Sequence, residues 1–175
     1  HMVPPFDHKD IIEGQATGAL EIIELTGRGK MPDSGMLPVG GGGLAAGVSQ
    51  YFQTIGQAPQ FVFCEPAGAP SLSRSLSEGR RVKLASVDNF VDGAAVAEIG
   101  RENFRVLKDF SAGATRLVPE NRLCATMIEM LNVEGVVLEP AGALTIDAMK
   151  DFTKKDIRGK TIVAVVSGGN FDFER

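Results

Sequence analysis

Four consecutive glycines, Gly40 to Gly43, separate an apolar run that ends at Val39 from a run of small residues that begins at Leu44. Because glycine has no Cβ, such a loop lets an anion approach the main-chain N–H groups closely. A helix that begins near Leu44 adds unpaired N–H groups and the positive end of its dipole. The order of strand, loop and helix therefore predicts an anion site of the kind that holds phosphate, and a flexible turn is the plainer alternative.

The composition is that of a globular protein with one domain and a substantial core. The chain has 175 residues, of which 43% are hydrophobic and 23% are charged. A net charge of −4 argues against nucleic acid or an anionic membrane surface as the main partner. No apolar run approaches the length of about 20 residues that a membrane span requires. We expect a cytoplasmic protein, since no secretory signal opens the chain, although a removed organelle-targeting peptide would leave no trace. His1-Met2 is expected to be a cloning remnant.

The two cysteines, Cys64 and Cys124, stand alone, without a further cysteine or a histidine at the spacing of metal ligands. We expect both to be buried, reduced thiols rather than a disulfide or a metal site. The cysteines therefore predict no metal centre.

Apolar spacing predicts an alternation of helices and strands along the chain. The predicted helices cover residues 11–25, 44–52, 71–77, 94–110, 119–131 and 140–152, the first of them ending at Gly27 and Gly29. The predicted strands cover residues 36–39, 61–65, 135–138 and 161–166, and the second is apolar throughout, as in a strand buried on both faces. This alternation implies an α/β fold of three layers, in which helices flank a mainly parallel sheet and ligands bind at the carboxyl ends of the strands.

Two further segments fall where a ligand at that edge of the sheet would lie. Ser167-Gly-Gly-Asn170 follows the last predicted strand directly, so its hydroxyl and bare backbone reach the same edge as the glycine loop. A plain strand-ending turn is the alternative. Gly93 stands between an apparent loop and a predicted helix, and its plainer interpretation is a helix start with Asp92 as the N-cap.

Five motifs follow one another along the chain: Gly40-Gly-Gly-Gly-Leu44, Glu65-Pro-Ala-Gly-Ala69, Asp92-Gly-Ala-Ala-Val96, Glu139-Pro-Ala-Gly-Ala-Leu144 and Ser167-Gly-Gly-Asn170. In order and spacing they resemble the threonine dehydratases of the biosynthetic type, which are threonine ammonia-lyases that use pyridoxal 5′-phosphate (PLP). The tetraglycine loop alone would suit the wider serine and threonine dehydratase group, which includes serine racemase. The resemblance implies the large-domain portion of the tryptophan-synthase-β-like PLP fold. It also implies conversion of L-threonine to 2-oxobutanoate and ammonia in isoleucine biosynthesis.

The resemblance assigns cofactor contacts to eight residues. The phosphate would be held by Gly40, Gly41, Gly42, Gly43 and Leu44. Ser167 would face the pyridine nitrogen, with Gly93 beside the ring and Glu139 near its far edge. A neutral hydroxyl at the pyridine nitrogen makes the ring a moderate electron sink, which suits elimination of the β-hydroxyl.

Some relatives bind a cation at positions that correspond to Glu65, the Ala69 carbonyl and Ser71. Those relatives carry a carboxylate at the last of these positions. Ser71 lacks that negative charge, which a hard cation prefers. We therefore predict no metal site.

One feature of the resembled family is absent from this sequence. These enzymes hold PLP as a Schiff base on a lysine in a Ser-x-Lys-x-Arg setting, and the same lysine acts as the base at Cα. No lysine here has that setting, and all of them lie in polar surroundings: Lys9, Lys30, Lys83, Lys108, Lys150, Lys154, Lys155 and Lys160. We therefore expect residues 3–175 to be the later part of a PLP-binding catalytic domain, with no catalytic residue of its own and no activity alone.

The expected partners are L-threonine and L-serine as substrates, further copies of the chain in a homo-oligomer, and a complementary chain that carries the lysine. Two alternatives remain open. The spacing of Gly41, Gly43, Ala46 and Glu65 also fits an NAD-binding Rossmann oxidoreductase, because an acidic residue ends the next strand. The second alternative is a truncated domain without catalytic function.

Overall fold

The computed structural model describes residues 3–27 and 30–171. The expected cloning remnant, His1-Met2, and the predicted helix stop at Gly29 lie outside the described residues. The strands are β1 Ser34–Pro38, β2 Gln60–Pro66, β3 Thr115–Val118 and β4 Ile162–Ala164. The α-helices are α1 Lys9–Gln15, α2 Thr17–Thr26, α3 Gly43–Thr54, α4 Ser71–Glu78, α5 Arg101–Leu107, α6 Glu120–Glu129, α7 Pro140–Met149 and α8 Lys154–Ile157.

The four strands form one parallel sheet in the order β3-β2-β1-β4. The central strand β1 pairs with β2 from Ser34 to Pro38 and with β4 from Ser34 to Met36. Because all the strands run in the same direction, the segments that follow β1, β2 and β4 leave the sheet at one edge. The predicted parallel α/β sheet is thus confirmed.

Alternation along the strands divides the core between two faces of the sheet. Leu37 and Phe63 pack with α1, α2, α3 and α5 on one face. Met36, Val62 and Cys64 pack with α6 and α7 on the other face. Both faces are covered, so β2 is apolar and buried from Phe61 to Cys64 on both of its sides, as the run 61–65 predicts. The arrangement confirms three layers, with a sheet between two layers of helices.

Three predicted elements differ from the structure. The helix predicted over residues 94–110 begins only at Arg101, because residues 94–100 run along the glycine loop, where Gly100 N–H donates to the Gly41 carbonyl at 3.1 Å. The strand predicted over 135–138 is not formed, since this segment instead packs against Gly169. The helix predicted over 11–25 is divided at Ala16, where α3 passes so closely that a Cβ on Gly47 would lie 2.9 Å from the Ala16 nitrogen.

Both cysteines are free thiols, as expected. Cys64 is fully buried, and burial raises the pKa of its thiol to about 12. The predicted burial of Cys124 is wrong, because this residue lies on the outer side of α6 and is exposed. None of the helices in the described ranges is long and apolar enough to cross a membrane.

Candidate functional site

The glycine loop leaves the carboxyl end of β1 and turns directly into α3. Gly42 is the N-cap of α3 and has a φ of 92°, a left-handed conformation that a residue with a side chain rarely adopts. A Cβ on Gly42 would also lie 2.6 Å from Ile99 Cδ1. The turn from strand to helix therefore requires glycine at this position for both conformation and space.

The backbone N–H groups of this loop have no acceptor within the described part of the protein. Those of Gly40 to Leu44 donate to no backbone or side-chain group there, although Gly41, Gly42 and Gly43 are buried. Buried N–H groups without an acceptor are rare in folded proteins. Together with the N-terminus of a twelve-residue helix they form a site that fits an anion such as the PLP phosphate.

Contacts with Phe6, Gly100 and Asn103 hold the loop in this conformation. The ring of Phe6 lies directly against Gly41, where a Cβ would overlap it. The carbonyl of Gly41 accepts hydrogen bonds from the Gly100 N–H at 3.1 Å and from Asn103 Nδ2 at 2.7 Å. Sequence reasoning missed Asn103, because no local motif links a residue on α5 to a loop some sixty positions earlier.

An open cleft of about 410 Å³ lies over the loop. Its walls bring together seven of the eight predicted cofactor residues, namely Gly40, Gly41, Gly42, Gly43, Leu44, Gly93 and Ser167. Phe6 and Val96 add apolar surface, and Asp92 is the one ionisable residue among the described residues that line the cleft. An anion bound here would therefore be held by N–H groups and the helix dipole rather than by a cationic side chain.

Glu139, the eighth predicted residue, lies just behind the lining of the cleft. Its carboxylate packs against Gly168, and a Cβ on Gly93 would lie 3.3 Å from its Oε1. Its backbone N–H donates to the Gly168 carbonyl at 3.1 Å, which fixes the segment that carries Ser167 to the start of α7. Gly93 lies in a turn and no helix begins at Asp92, whose carboxylate accepts the Gly93 N–H at 2.8 Å. The interpretation of Asp92 as a helix cap is therefore wrong.

Glu65 ends β2 at the same edge of the sheet, yet its carboxylate is used within the fold. It is fully buried and accepts the N–H groups of Leu72 at 2.7 Å and of Ser73 at 2.8 Å, at the start of α4. Burial raises the pKa of Glu65 to about 7 against the opposing effect of these two hydrogen bonds. A carboxylate engaged in this way cannot bind a ribose hydroxyl, so the geometry disfavours the dinucleotide-binding alternative.

Ser71, the third position of the cation site of some relatives, is buried beside Glu65, and its Oγ has no hydrogen-bond partner. The described residues contain no cluster of three or more histidine, cysteine, aspartate or glutamate side chains that could hold a metal ion.

All eight lysines lie on the surface, as expected from their polar surroundings. None of them is among the residues that line the cleft in the described part of the chain. The cleft as described therefore offers contacts for a phosphate and a ring but no amine at the reacting atoms.

Comparison with known proteins identifies the family of the chain. A family model for pyridoxal-phosphate-dependent enzymes matches residues 1–168. The chain is 43% identical to the L-threonine dehydratase biosynthetic IlvA of Bacillus subtilis over 173 residues, which is 99% of this chain but 40% of that protein. The chain therefore spans less than half the length of this relative.

Two solved structures have the same fold. The processed form of threonine deaminase isoform 2 from Solanum lycopersicum is 38% identical, with a TM-score of 0.87 over 98% of this chain and 49% of that chain. Maize serine racemase is 28% identical, with a TM-score of 0.86 over 98% of this chain and 52% of that chain. The chain belongs to the family of pyridoxal-phosphate-dependent enzymes, and its relatives include biosynthetic threonine dehydratases.

Proposed function

We propose that this chain is the cofactor-binding part of a longer threonine ammonia-lyase, which converts L-threonine to 2-oxobutanoate and ammonia in isoleucine biosynthesis. The observation that carries the proposal is the meeting of seven predicted cofactor residues around one cleft whose loop N–H groups lack acceptors. The relatives support the choice of threonine, since the Bacillus subtilis protein is named a threonine dehydratase. L-serine is proposed as a poorer second substrate.

The phosphate of PLP is assigned to the N–H groups of Gly40, Gly41, Gly42, Gly43 and Leu44. The absence of a cationic side chain from the described lining leaves this task to the backbone and to the dipole of α3. Burial of Gly41 to Gly43 keeps water from competing for the same N–H groups.

The pyridine ring is assigned to the other side of the cleft. There the Ser167 hydroxyl would donate a hydrogen bond to the pyridine nitrogen, Gly93 would leave room for the ring, and Glu139 would lie near its far edge. A hydroxyl donates without carrying charge, so the ring would remain a moderate electron sink. This role suits elimination of a hydroxyl group better than reactions that need a stable carbanion.

PLP, when bound, supplies the electron sink that lets Cα lose its proton and the β-hydroxyl leave. The residues of this chain contribute phosphate binding, ring orientation and a cleft wall, and none of them is an amine or a base at Cα. The lysine would be supplied by the remainder of the protein or by a complementary chain. We further propose that the protein acts in the cytoplasm as a homo-oligomer.

Two assays test the proposal. The full-length protein purified with PLP should release 2-oxobutanoate from L-threonine, and a PLP-loaded protein that forms no 2-oxo acid would contradict the assignment. The 175-residue chain alone should show no turnover with excess PLP, because a positioned general base alone accounts for about 10² to 10⁴ in rate. Turnover by the isolated chain, after mass spectrometry excludes contaminating full-length enzyme, would show that one of its own lysines serves as the base.

A further inference from the structure

Asn103 joins three separate segments of the chain beneath the glycine loop. Its side chain is fully buried in the first turn of α5. Nδ2 donates one hydrogen bond to the Gly41 carbonyl at 2.7 Å and a second to the Phe6 carbonyl at 3.1 Å. Since both neighbours are carbonyl oxygens, only the amide end of the carboxamide can face them, and the orientation of the side chain is fixed.

The hydrogen bond to Gly41 determines where the next N–H group points. The peptide bond between Gly41 and Gly42 is trans, so its C=O and its N–H point in opposite directions. Asn103 and the Gly100 N–H hold the Gly41 carbonyl on the α5 side. The Gly42 N–H is therefore turned away from α5, and it has no acceptor within the described protein.

Without the hydrogen bonds from Asn103 and Gly100, the glycine loop would not keep this orientation. Four adjacent glycines have more accessible backbone conformations than any other four residues, and ordering them costs the most conformational entropy. A further hydrogen bond joins segment 6–7 to the start of α5, because Asp7 Oδ1 accepts the Glu102 N–H at 2.8 Å. Segment 6–7 and the start of α5 thus restrain the loop together, and Phe6 also forms part of the cleft wall.

The other end of the Asn103 side chain has no partner. Oδ1 is buried and accepts no hydrogen bond, and an unpaired buried oxygen lowers stability. Leucine has nearly the same shape and would avoid this cost, although it would leave the Phe6 carbonyl without its donor. Because loss of the Nδ2 donors also affects stability, the positioning role must be measured by the preference for the phosphate in a chain that remains folded.

We infer that Asn103 is a positioning residue for the phosphate-binding loop, which it sets so that the loop N–H groups face the phosphate ester. The inference rests on the proposed function, in which Gly40 to Leu44 hold that phosphate. It predicts that Asn103→Leu weakens recognition of the phosphate in a chain that remains folded.

The test uses pyridoxine phosphate and pyridoxine as a matched pair of ligands for the whole 175-residue chain. Neither carries an aldehyde, so neither forms Schiff bases with the exposed lysines. Calorimetry measures the dissociation constant of pyridoxine divided by that of pyridoxine phosphate. This ratio isolates the contribution of the phosphate. Asn103→Leu should reduce this ratio by about ten-fold, as expected when the hydrogen bonds that hold the binding geometry are lost. Arg105→Gln, in the last turn of the same helix and with an exposed side chain, should leave the ratio unchanged.

A second variant guards against misfolding of the first. Gly100→Ala would place a methyl group 2.6 Å from Asn103 Nδ2 and should displace the carboxamide without removing it. The same loss of phosphate preference is expected. An unchanged ratio in either variant, when the melting temperature shows that it is folded, would overturn the inference and leave the proposed function intact.

Amide hydrogen exchange without ligand distinguishes failure of the inference about Asn103 from failure of the proposed phosphate site. If Asn103 sets the loop, exchange over residues 40–45 should accelerate in Asn103→Leu while exchange over β2 stays as in the wild-type chain. A wild-type chain that binds both ligands equally would contradict the phosphate site, and the exchange result would then decide the role of Asn103 by itself. Unaltered exchange in the loop would overturn the inference.

Discussion

The two sides of the cleft are built in different ways. On the phosphate side, Gly41 to Gly43 are buried, follow the central strand β1 and are enclosed by Phe6 and α5. On the ring side, Ser167 is exposed and follows β4, a three-residue strand at the edge of the sheet. Within residues 3–27 and 30–171, β1 has a pairing partner on each side, whereas β4 pairs with β1 alone.

This difference indicates which part of cofactor binding the chain can perform alone. A buried loop held from several sides keeps its N–H groups in place before any ligand arrives, and such preorganisation lowers the cost of binding. At an exposed segment on an edge strand, a ligand must displace water from each group to which it forms a hydrogen bond. We therefore expect the phosphate contacts to be complete in this chain and the ring contacts to depend on whatever covers β4 in the longer protein.

The largest expected effect concerns the helix that supports the ring side. Asp147 on α7 is fully buried and is bound by Arg122 at 2.5 Å and by the Thr126 hydroxyl at 2.6 Å. Arg122→Ala would leave the buried Asp147 carboxylate without its cation and should lower the free energy of unfolding by about 3 to 5 kcal/mol. Urea denaturation measures this change.

Asp151 supplies the control, because it binds the same Arg122 at 2.7 Å but is exposed. Asp151→Ala should cost less than about 1 kcal/mol. If the folded Arg122→Ala chain kept its preference for pyridoxine phosphate over pyridoxine, the two sides would be independent. Loss of that preference would show that the phosphate side also relies on α7.

The second effect is a pH dependence of stability caused by Glu65, which lies at the same edge of the sheet as the ligand site but is not part of it. Its pKa is raised from 4.5 to about 7 by burial, so the folded protein holds this proton more tightly than the unfolded chain. The resulting stabilisation is complete below pH 4.5 and is lost as the pH rises to about 7. The loss amounts to about 3 kcal/mol on the scale of 1.36 kcal/mol per pKa unit.

Glu65→Gln should remove this component of the pH dependence, which is seen when urea denaturation of the variant and of the wild-type chain is compared from pH 4.5 to pH 7. The affinity for pyridoxine phosphate should not change, because the carboxylate serves α4 rather than the cleft. If the stability of both proteins depended on pH in the same way, Glu65 would not have the raised pKa of a buried carboxyl group.

The third effect concerns the loop itself. Gly42→Asp forces a residue with a Cβ to a φ of 92°, adds an atom 2.6 Å from Ile99 and puts a negative charge beside the loop, so the loop N–H groups should lose their arrangement and the added charge should repel an anion. The preference for pyridoxine phosphate over pyridoxine should fall by about 100-fold, or about 2.7 kcal/mol. Calorimetry with both ligands measures it.

Gly56→Asp is a matched control, since Gly56 also has a positive φ of 69° but has open space around its Cβ position. Its ligand preference should equal that of the wild-type chain. Equal preference in Gly42→Asp as well would mean that the loop does not hold the phosphate.

The smallest effect is expected on the ring side. Ser167→Ala removes an exposed hydroxyl whose hydrogen bond to the ring would replace one to water, so the affinity of the isolated chain for pyridoxine phosphate should change by less than about two-fold. A ten-fold loss would show that both sides contribute equally and would remove the contrast between them. Thr161→Ala, near the start of β4, serves as a control at the opposite end of that strand.

The sequence predicts the parts of the fold whose signals are local. Alternation places Leu37 and Val62 on opposite faces of the sheet, and the glycines mark the loop because no other residue tolerates the conformation of Gly42. The motif residues converge because parallel strands end at one edge, which is a property of topology and needs no detail of packing.

What the sequence does not predict depends on contacts between distant segments. Residues 94–100 have helical spacing, but Gly100 bonds to Gly41, and the chain follows the loop instead. Asn103 has no neighbour in sequence that hints at its contact with Gly41. The short helix α8, in contrast, has a local signal in the sequence, because Thr153 and Asp156 form a capping box.

The most direct test of the account is a heteronuclear NMR titration of the wild-type chain with pyridoxine phosphate. The account predicts that the amide signals of Gly41, Gly42 and Gly43 shift and saturate together, and that inorganic phosphate competes for the same signals. Signals from residues 167–170 should shift less, because their contacts with the ring are exposed to water. Saturable shifts that avoid residues 40–44, or equal shifts with pyridoxine, would contradict a phosphate site that is complete in this chain.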